Sequence, residues 1–403
     1  MMTLKRILIA LTLVSVVADT MLLPFYSQFF SAAFGIESSQ HVGFYIAACC
    51  FTVMSAFPLW AKVAKRFHEL HIWVYTQMIA AMLGVYCYTT TSIVHFWIAS
   101  QLMLVFKASY LLIYPYVMRL EEKEKHLGVA GLFSVLMHFG AIGGALLGGF
   151  VLQMLSPKDV YLVMPISDII QVIMCVVLIV HLGVSARVSQ PVPPSTPVSE
   201  ASSSQKVTSL VARLCAVSAL FYFSAFLIRP FFSRYWEQIS GAQNEFITAW
   251  VYAIPAWVAL LCLWWSRRQK NTQSHFFVIV NASVIAMVGL MLQASPNEWA
   301  IFIGRCLFGF GLYQITVRLE VILFDVSEPA QYASDFSKLH FFQNVGVIGA
   351  SFMVGYLVDS MGLQSMFIAS LIGFAAFLAL FYGLFQRKLS KPIESTGSTE
   401  ANA

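Results

Sequence analysis

The stretch Gly131–Gly149 reads GLFSVLMHFGAIGGALLGG, and its reading decides the fold. It carries no charge beyond whatever proton His138 holds. Gly140, Gly144 and Gly148 recur every four residues, which on a helix lays a narrow stripe without side chains along one face. In water each such glycine would destabilise a helix by about 1 kcal/mol relative to alanine. In lipid the balance changes, because small residues let two helix backbones approach and pack. The stretch therefore predicts a transmembrane helix pressed against a neighbour. A plain GxxxG packing seam would account for the spacing alone.

The rest of the chain has the same character. Its 403 residues are 59% hydrophobic and 11% charged, with a mean hydropathy of +0.76; a soluble domain carries about 25% charged residues. Apolar segments lie at 7–30, 42–61, 72–91, 94–118, 129–154, 160–183, 209–232, 246–265, 275–293, 299–323, 334–357 and 363–385. Each is long enough to cross about 30 Å of hydrocarbon as a helix. The expected fold class is all-α membrane, with twelve transmembrane helices. The N-terminus, MMTLKR before an apolar run, lacks a small-x-small cleavage site and reads as an uncleaved first span.

Lysine and arginine set the expected orientation. Lys5, Arg6, Lys62, Lys65, Arg66, Arg119, Arg187, Arg267 and Arg387 fall on one side of a twelve-span arrangement, and the other side's loops hold Lys158 and Arg234. By the positive-inside rule both termini are cytoplasmic. The net charge of +5 follows from this distribution and is no nucleic-acid signal. Cys49, Cys50, Cys87, Cys175, Cys215, Cys262 and Cys306 all lie in apolar segments without metal-ligand spacing, and read as small buried hydrophobes. No GxxxxGK, HExxH, CxxC or GxSxG motif is present, so neither an ATP-driven pump nor an enzyme is expected. No cofactor or metal is expected either.

Residues 186–207, ARVSQPVPPSTPVSEASSSQKV, are rich in Pro and Ser and too polar to pack. They divide the chain into an N-terminal six-helix bundle (1–185), a cytoplasmic linker (186–207), a C-terminal bundle (208–388) and a tail (389–403). The halves look like repeats. Pro24-Phe25-Tyr26-Ser27 matches Pro230-Phe231-Phe232-Ser233, and Gly140, Gly143 and Gly149 match Gly346, Gly349 and Gly355, both at an offset of 206. Parallel repeats of this kind place a substrate site between the halves.

These features resemble the major facilitator superfamily. Its exporters carry on span five a motif of Gly, eight residues, Gly, three residues, Gly-Pro, two residues and Gly-Gly. Gly131, Gly140, Gly144, Gly148 and Gly149 fall on the glycine positions, and Ala145 stands where the proline would be. The loop after span two, AKVAKRFH, keeps the basic character of the family's cytoplasmic gate, but Lys65 replaces the family Asp beside Arg66; ordinary positive-inside residues would look the same. Gln101 lies near the span-four position where exporters carry an arginine. Arg305-Cys306-Leu307-Phe308-Gly309 on span ten has the arginine-to-glycine spacing. The resemblance implies two pseudo-symmetric six-helix bundles that alternate access, of the drug:proton antiporter type. It also implies a lipid bilayer, protons and a small molecule as partners, no nucleic acid, a functional monomer and the bacterial inner membrane.

Charged side chains inside the spans carry the functional expectation, because each costs about 3 kcal/mol or more at the bilayer centre unless it faces a cavity or a partner. They are Asp19 on span one, Lys107 on span four, Arg229 on span seven and Arg305 on span ten, with His138 and His340 on spans five and eleven. In the family these spans line the cavity, which makes the six residues candidates for substrate binding or proton coupling. Asp168 lies on span six, peripheral in the family, and is set apart. Arg318 and Glu320, near the cytoplasmic end of span ten, are expected to form a local or interfacial salt bridge. Three cations against one carboxylate suggest an anionic or zwitterionic cargo, of which a siderophore is one example, exported in exchange for protons. Export of lipophilic cations, proton-coupled import, and a non-transporting membrane receptor are the rivals.

Overall fold

The structure, a computed structural model, describes residues 2–120, 126–186, 204–241, 244–266, 274–327 and 332–389. Most of the 186–207 linker and the tail beyond 389 lie outside these. The regular structure is helical: α1 (Met2–Thr20), α2 (Tyr26–Phe34), α3 (Ser39–Val63), α4 (Glu69–Thr89), α5 (Ile93–Lys107), α6 (Ile113–Leu120), α7 (His126–Met154), α8 (Val160–Leu182), α9 (Ser204–Phe226), α10 (Phe232–Ser240), α11 (Glu245–Ser266), α12 (His275–Gln293), α13 (Glu298–Val326), α14 (Tyr332–Met361) and α15 (Ser365–Leu389). Among the described residues, eleven helices are long and apolar enough to cross a membrane, and Ile7–Thr20 forms a shorter apolar helix.

Three spans are broken. Proline has no N–H and crowds the preceding turn. Pro24 separates α1 from α2, and Pro230 separates α9 from α10. The breaks are built alike. Leu23 N donates to Thr20 O at 3.2 Å, and 206 residues later Arg229 N donates to Phe226 O at 3.1 Å. The third break, a 3-10 turn over Ala108–Leu112, follows α5 and precedes Pro115.

The offset of 206 extends to the helix starts. Tyr26, Ser39, Glu69 and His126 open α2, α3, α4 and α7, and their counterparts Phe232, Glu245, His275 and Tyr332 open α10, α11, α12 and α14. Chain contacts define two compact units: Met1–Glu200 with Phe226–Trp257 and Val347–Met366, and Ala201–Ala225 with Val258–Gly346 and Phe367–Ala403. In the second unit α12 and α13 pack backbone to backbone, since a Cβ on Gly289 would lie 2.8 Å from Gly304 O.

The first unit holds a pair of symmetric contacts at the face where α2 turns into α3. A Cβ on Gly149 of α7 would lie 2.6 Å from Glu245 O and 2.8 Å from the Ala249 Cβ of α11. A Cβ on Gly355 of α14 would lie 2.6 Å from Ser39 O and 3.2 Å from the Gly43 Cα of α3. Each residue of the first contact is 206 before or after its counterpart in the second. The helix caps follow the same rule. Gln153 Oε1 accepts from Glu245 N at 3.0 Å, and Asp359 Oδ1 accepts from Ser39 N at 2.8 Å. Asp359 does more than its twin: its Oδ2 also accepts from Gln40 N at 2.8 Å and Ser38 Oγ at 3.0 Å. A carboxylate at a helix N-terminus satisfies open N–H groups and meets the positive end of the helix dipole.

Removing that charge tests how much the α14–α3 seam depends on it. Asp359→Asn is expected to speed hydrogen exchange at the Ser39 and Gln40 amides by about tenfold or more, as a loss of about 1.5–3 kcal/mol in hydrogen bonds to a charged group requires. Glu245, on the neutral twin, should be unchanged. Equal exchange in both proteins would show that the carboxylate does not hold the seam.

Candidate functional site: a buried lysine between two aspartates

Lys107 ends α5 where the helix tightens into the 3-10 turn. A 3-10 stretch inside a longer helix often marks a hinge or a strained sequence. Its loosened carbonyls are satisfied from neighbouring helices. Trp60 Nε1 of α3 donates to Val105 O at 2.6 Å, and Trp73 Nε1 of α4 donates to Ser109 O at 3.0 Å. The hydroxyls of Thr76 and Ser109 meet at 2.7 Å. Two indoles thus fix the backbone on either side of Lys107.

The ammonium reaches two carboxylates. Lys107 Nζ lies 3.0 Å from Asp19 Oδ1 on α1 and 2.6 Å from Asp168 Oδ1 on α8. Side-chain exposure falls from 17% at Asp19 to 4% at Lys107 and 0% at Asp168. Asp19 Oδ2 has a second donor, Ser15 Oγ, at 3.4 Å. Asp168 Oδ2 is buried and receives no hydrogen bond from any described residue. With all three groups ionised the cluster carries one net negative charge. Adding one proton makes it neutral, which matters because uncompensated charge away from water is costly.

The glycine stripe positions Asp19. A Cβ on Gly140 would strike the Val16 side chain, one on Gly144 would strike the Thr20 hydroxyl and lie 2.7 Å from Val17 O, and one on Gly148 would lie 2.9 Å from Met21 C. These α1 residues flank Asp19. Thr20 Oγ1 donates to Val16 O at 2.7 Å and lies 3.3 Å from Gly140 O. Ala145, at the family's proline position, is fully buried. Gly149 faces α11 instead, and Gly131 lies on α7 in a stretch whose side-chain surroundings are outside the described residues. On α8, a Cβ on Gly84 of α4 would lie 2.7 Å from the Pro165 ring, so the helix carrying Asp168 is also held closely.

Of the six candidates, the structure brings Asp19 and Lys107 together and adds Asp168, which the sequence argument had set apart. His138 lies half-buried on α7. Arg229 is exposed at the α9–α10 break, its guanidinium 5.8 Å from the Phe226 ring centroid, with no carboxylate at ion-pairing distance among the described residues. Arg305 is 3% exposed on α13, in the second unit. His340, also in that unit, sets its ring edge-on to Phe336 at 4.2 Å. Lys65 and Arg66 are exposed in the turn after α3. The expected Arg318–Glu320 pair is not formed. Positions two apart point to different sides of a helix, and Arg318 Nη1 instead meets His275 Nδ1 at 3.2 Å.

The sequence profile of the Major Facilitator Superfamily matches residues 8–317. The chain belongs to this superfamily. Solved structures agree at the level of fold. The nucleoside transporter NupG is 14% identical with a TM-score of 0.70, over 95% of this chain and 100% of its own. A bacterial homologue of the human lysosomal transporter Spinster is 12% identical with a TM-score of 0.72, over 97% and 98%. The human organic anion transporter TETRAN is 13% identical with a TM-score of 0.67, over 93% and 98%. No curated protein matches in sequence. The fold is the major facilitator fold of twelve helices in two pseudo-symmetric six-helix bundles, and the protein is a membrane transporter of the secondary kind, not an enzyme.

Two substitutions probe this site. Lys107→Ala leaves two buried carboxylates without their cation, a loss of about 3–5 kcal/mol, and should abolish a monodisperse peak in size-exclusion chromatography. Adding Asp168→Asn should restore much of that peak; a well-folded single variant would show that the lysine is dispensable. Gly144→Leu should lower the thermal midpoint sharply, since the side chain must enter the α1 backbone at Val17 and Thr20. An unchanged midpoint would mean that α1 and α7 separate at little cost.

Proposed function

We propose that this superfamily member exports a small organic molecule in exchange for protons, with Asp19, Lys107 and Asp168 as the coupling centre. The observation that carries the reading is the single ammonium shared by two carboxylates of unequal exposure. Such a cluster has two near-balanced states, one with both ion pairs and one with a proton on a carboxylate. Cargo or a proton arriving at Asp19, its accessible member, shifts the balance between them. The centre sits beside the α1 break and at the α5 break, so its charge state acts on backbone already loosened by Pro24 and the 3-10 turn. The exporter direction rests on the glycine pattern of α7. The working arrangement is a monomer in a bacterial inner membrane with both termini cytoplasmic, the two halves joined by the 186–207 linker.

The cargo class we favour is anionic or zwitterionic, with Arg229 as the exposed cation that receives a carboxylate. Arginine offers planar, bidentate contact and keeps its charge at any physiological pH. Lys107 no longer counts toward a positive surplus, because two carboxylates already neutralise it. The cluster's net negative charge favours the second reading, a lipophilic cation that binds at Asp19.

Proteoliposomes loaded with a pH dye separate the readings. Counter-transport of protons against citrate or a related hydroxycarboxylate, lost in Arg229→Ala, is expected; proton exchange against tetraphenylphosphonium would favour the cation. Asp19→Asn should lower proton exchange at least a hundredfold in either case while leaving membrane expression intact. Proton flow in the same direction as cargo would replace export with import. No flux for any compound would leave a receptor on this fold.

A further inference from the structure

We infer that Asp168, rather than the more exposed Asp19, is the residue that holds the proton in the loaded state. The inference rests on the coupling role proposed for the cluster and divides that role between its members.

The two carboxylates are not equivalent. Asp19 keeps a donor when Lys107 leaves, because Ser15 Oγ lies 3.4 Å from its Oδ2, and its 17% side-chain exposure gives it access to water. Asp168 has neither. Its Oδ1 depends on Lys107 at 2.6 Å, and its Oδ2 has no donor among the described residues although its side chain is 0% exposed. An ionised carboxylate stripped of its single donor at that depth bears the full desolvation cost. A protonated one is neutral and gains an O–H donor of its own. Whenever the ammonium moves toward Asp19, protonation at Asp168 is the lower-energy outcome.

The step balances. An incoming proton forms the O–H bond of Asp168 and ends its ion pair; Lys107 keeps its three protons and remains with Asp19. Release breaks that O–H bond, the proton leaves past Asp19, and Lys107 pairs with both again. The charged groups that face Asp168 are Lys107 from α5 and Asp19 from α1. The other helices packed on α8 are α4 and α7. α4 carries Glu69 and His71 only in its first turn, more than a turn from the Gly84–Pro165 contact, and α7 carries His138. On α8 itself His181 lies in the last turn.

Infrared difference spectroscopy on the full-length protein in lipid, acid minus alkaline, tests the assignment without cargo. Asp→Glu variants keep the net charge of the cluster, so expected is a protonated-carboxyl C=O component that shifts in frequency in Asp168→Glu and stays in place in Asp19→Glu. A component that shifts in Asp19→Glu and stays in place in Asp168→Glu overturns the inference and leaves the coupling centre standing, with its roles reversed. A wild-type spectrum with no component sensitive to either change overturns the coupling reading itself. If Asp168→Glu does not fold, Asp19→Glu decides alone: a component that stays in place there and exchanges slowly in heavy water supports Asp168, and one that shifts refutes it.

Discussion

An ammonium group buried among helices can be kept only if its counter-charges are held within hydrogen-bonding distance, and much of the first unit serves that end. Lys107 cannot reach water, with 4% of its side chain exposed. Three helices must therefore bring α1, α5 and α8 to within a few ångströms of one point. The glycine stripe of α7 fixes α1, Pro165 against Gly84 fixes α8, and the indoles of Trp60 and Trp73 fix the break at which α5 ends. Placing a side chain on any of those glycines would push against a helix that carries one of the two carboxylates. The packing motif and the charged cluster are one construction.

The internal repeat shows what is scaffold and what is specific. The offset of 206 carries helix starts, proline breaks and the glycine contacts at Gly149 and Gly355 onto one another, which is the behaviour of a duplicated framework. Charge does not follow it. The counterparts of Asp19, Lys107 and Asp168 are Ala225, Tyr313 and Phe374, and Phe374 packs among Phe221, Phe308 and Phe377. The positions that hold ions in one half carry no charge in the other, and one of them lies in an aromatic cluster. Replacing a buried ion cluster by apolar side chains is often neutral or stabilising. Retention of ions in one half therefore points to a task other than stability.

How much of this was legible in the sequence follows from the range of each interaction. Hydropathy and glycine spacing are local, so the helical membrane fold and the repeat could be read directly. Asp19 and Lys107 stood out because charge within an apolar run is expensive wherever the chain goes. Asp168 carried the same signal, but the family's usual placement of span six drew attention away from it. The partner of a buried charge lies tens of residues distant, and spacing says nothing about it. The Arg318–Glu320 expectation fails for the opposite reason: the two are close in sequence, but a helix turns neighbours of that spacing apart. Asp359 escaped notice because an acidic residue near a helix end looks ordinary. Its alignment with Gln153 at the repeat offset was the available clue.

That pair also shows how a symmetric framework can acquire a preferred state. Gln153 and Asp359 cap equivalent helix starts, but the amide offers one bond and the carboxylate three, each strengthened by charge. The two helix starts are therefore held unequally. The α7–α11 seam is the less strongly capped of the two. Since α7 also carries the stripe that places Asp19, the weaker seam is the one joined to the charged cluster.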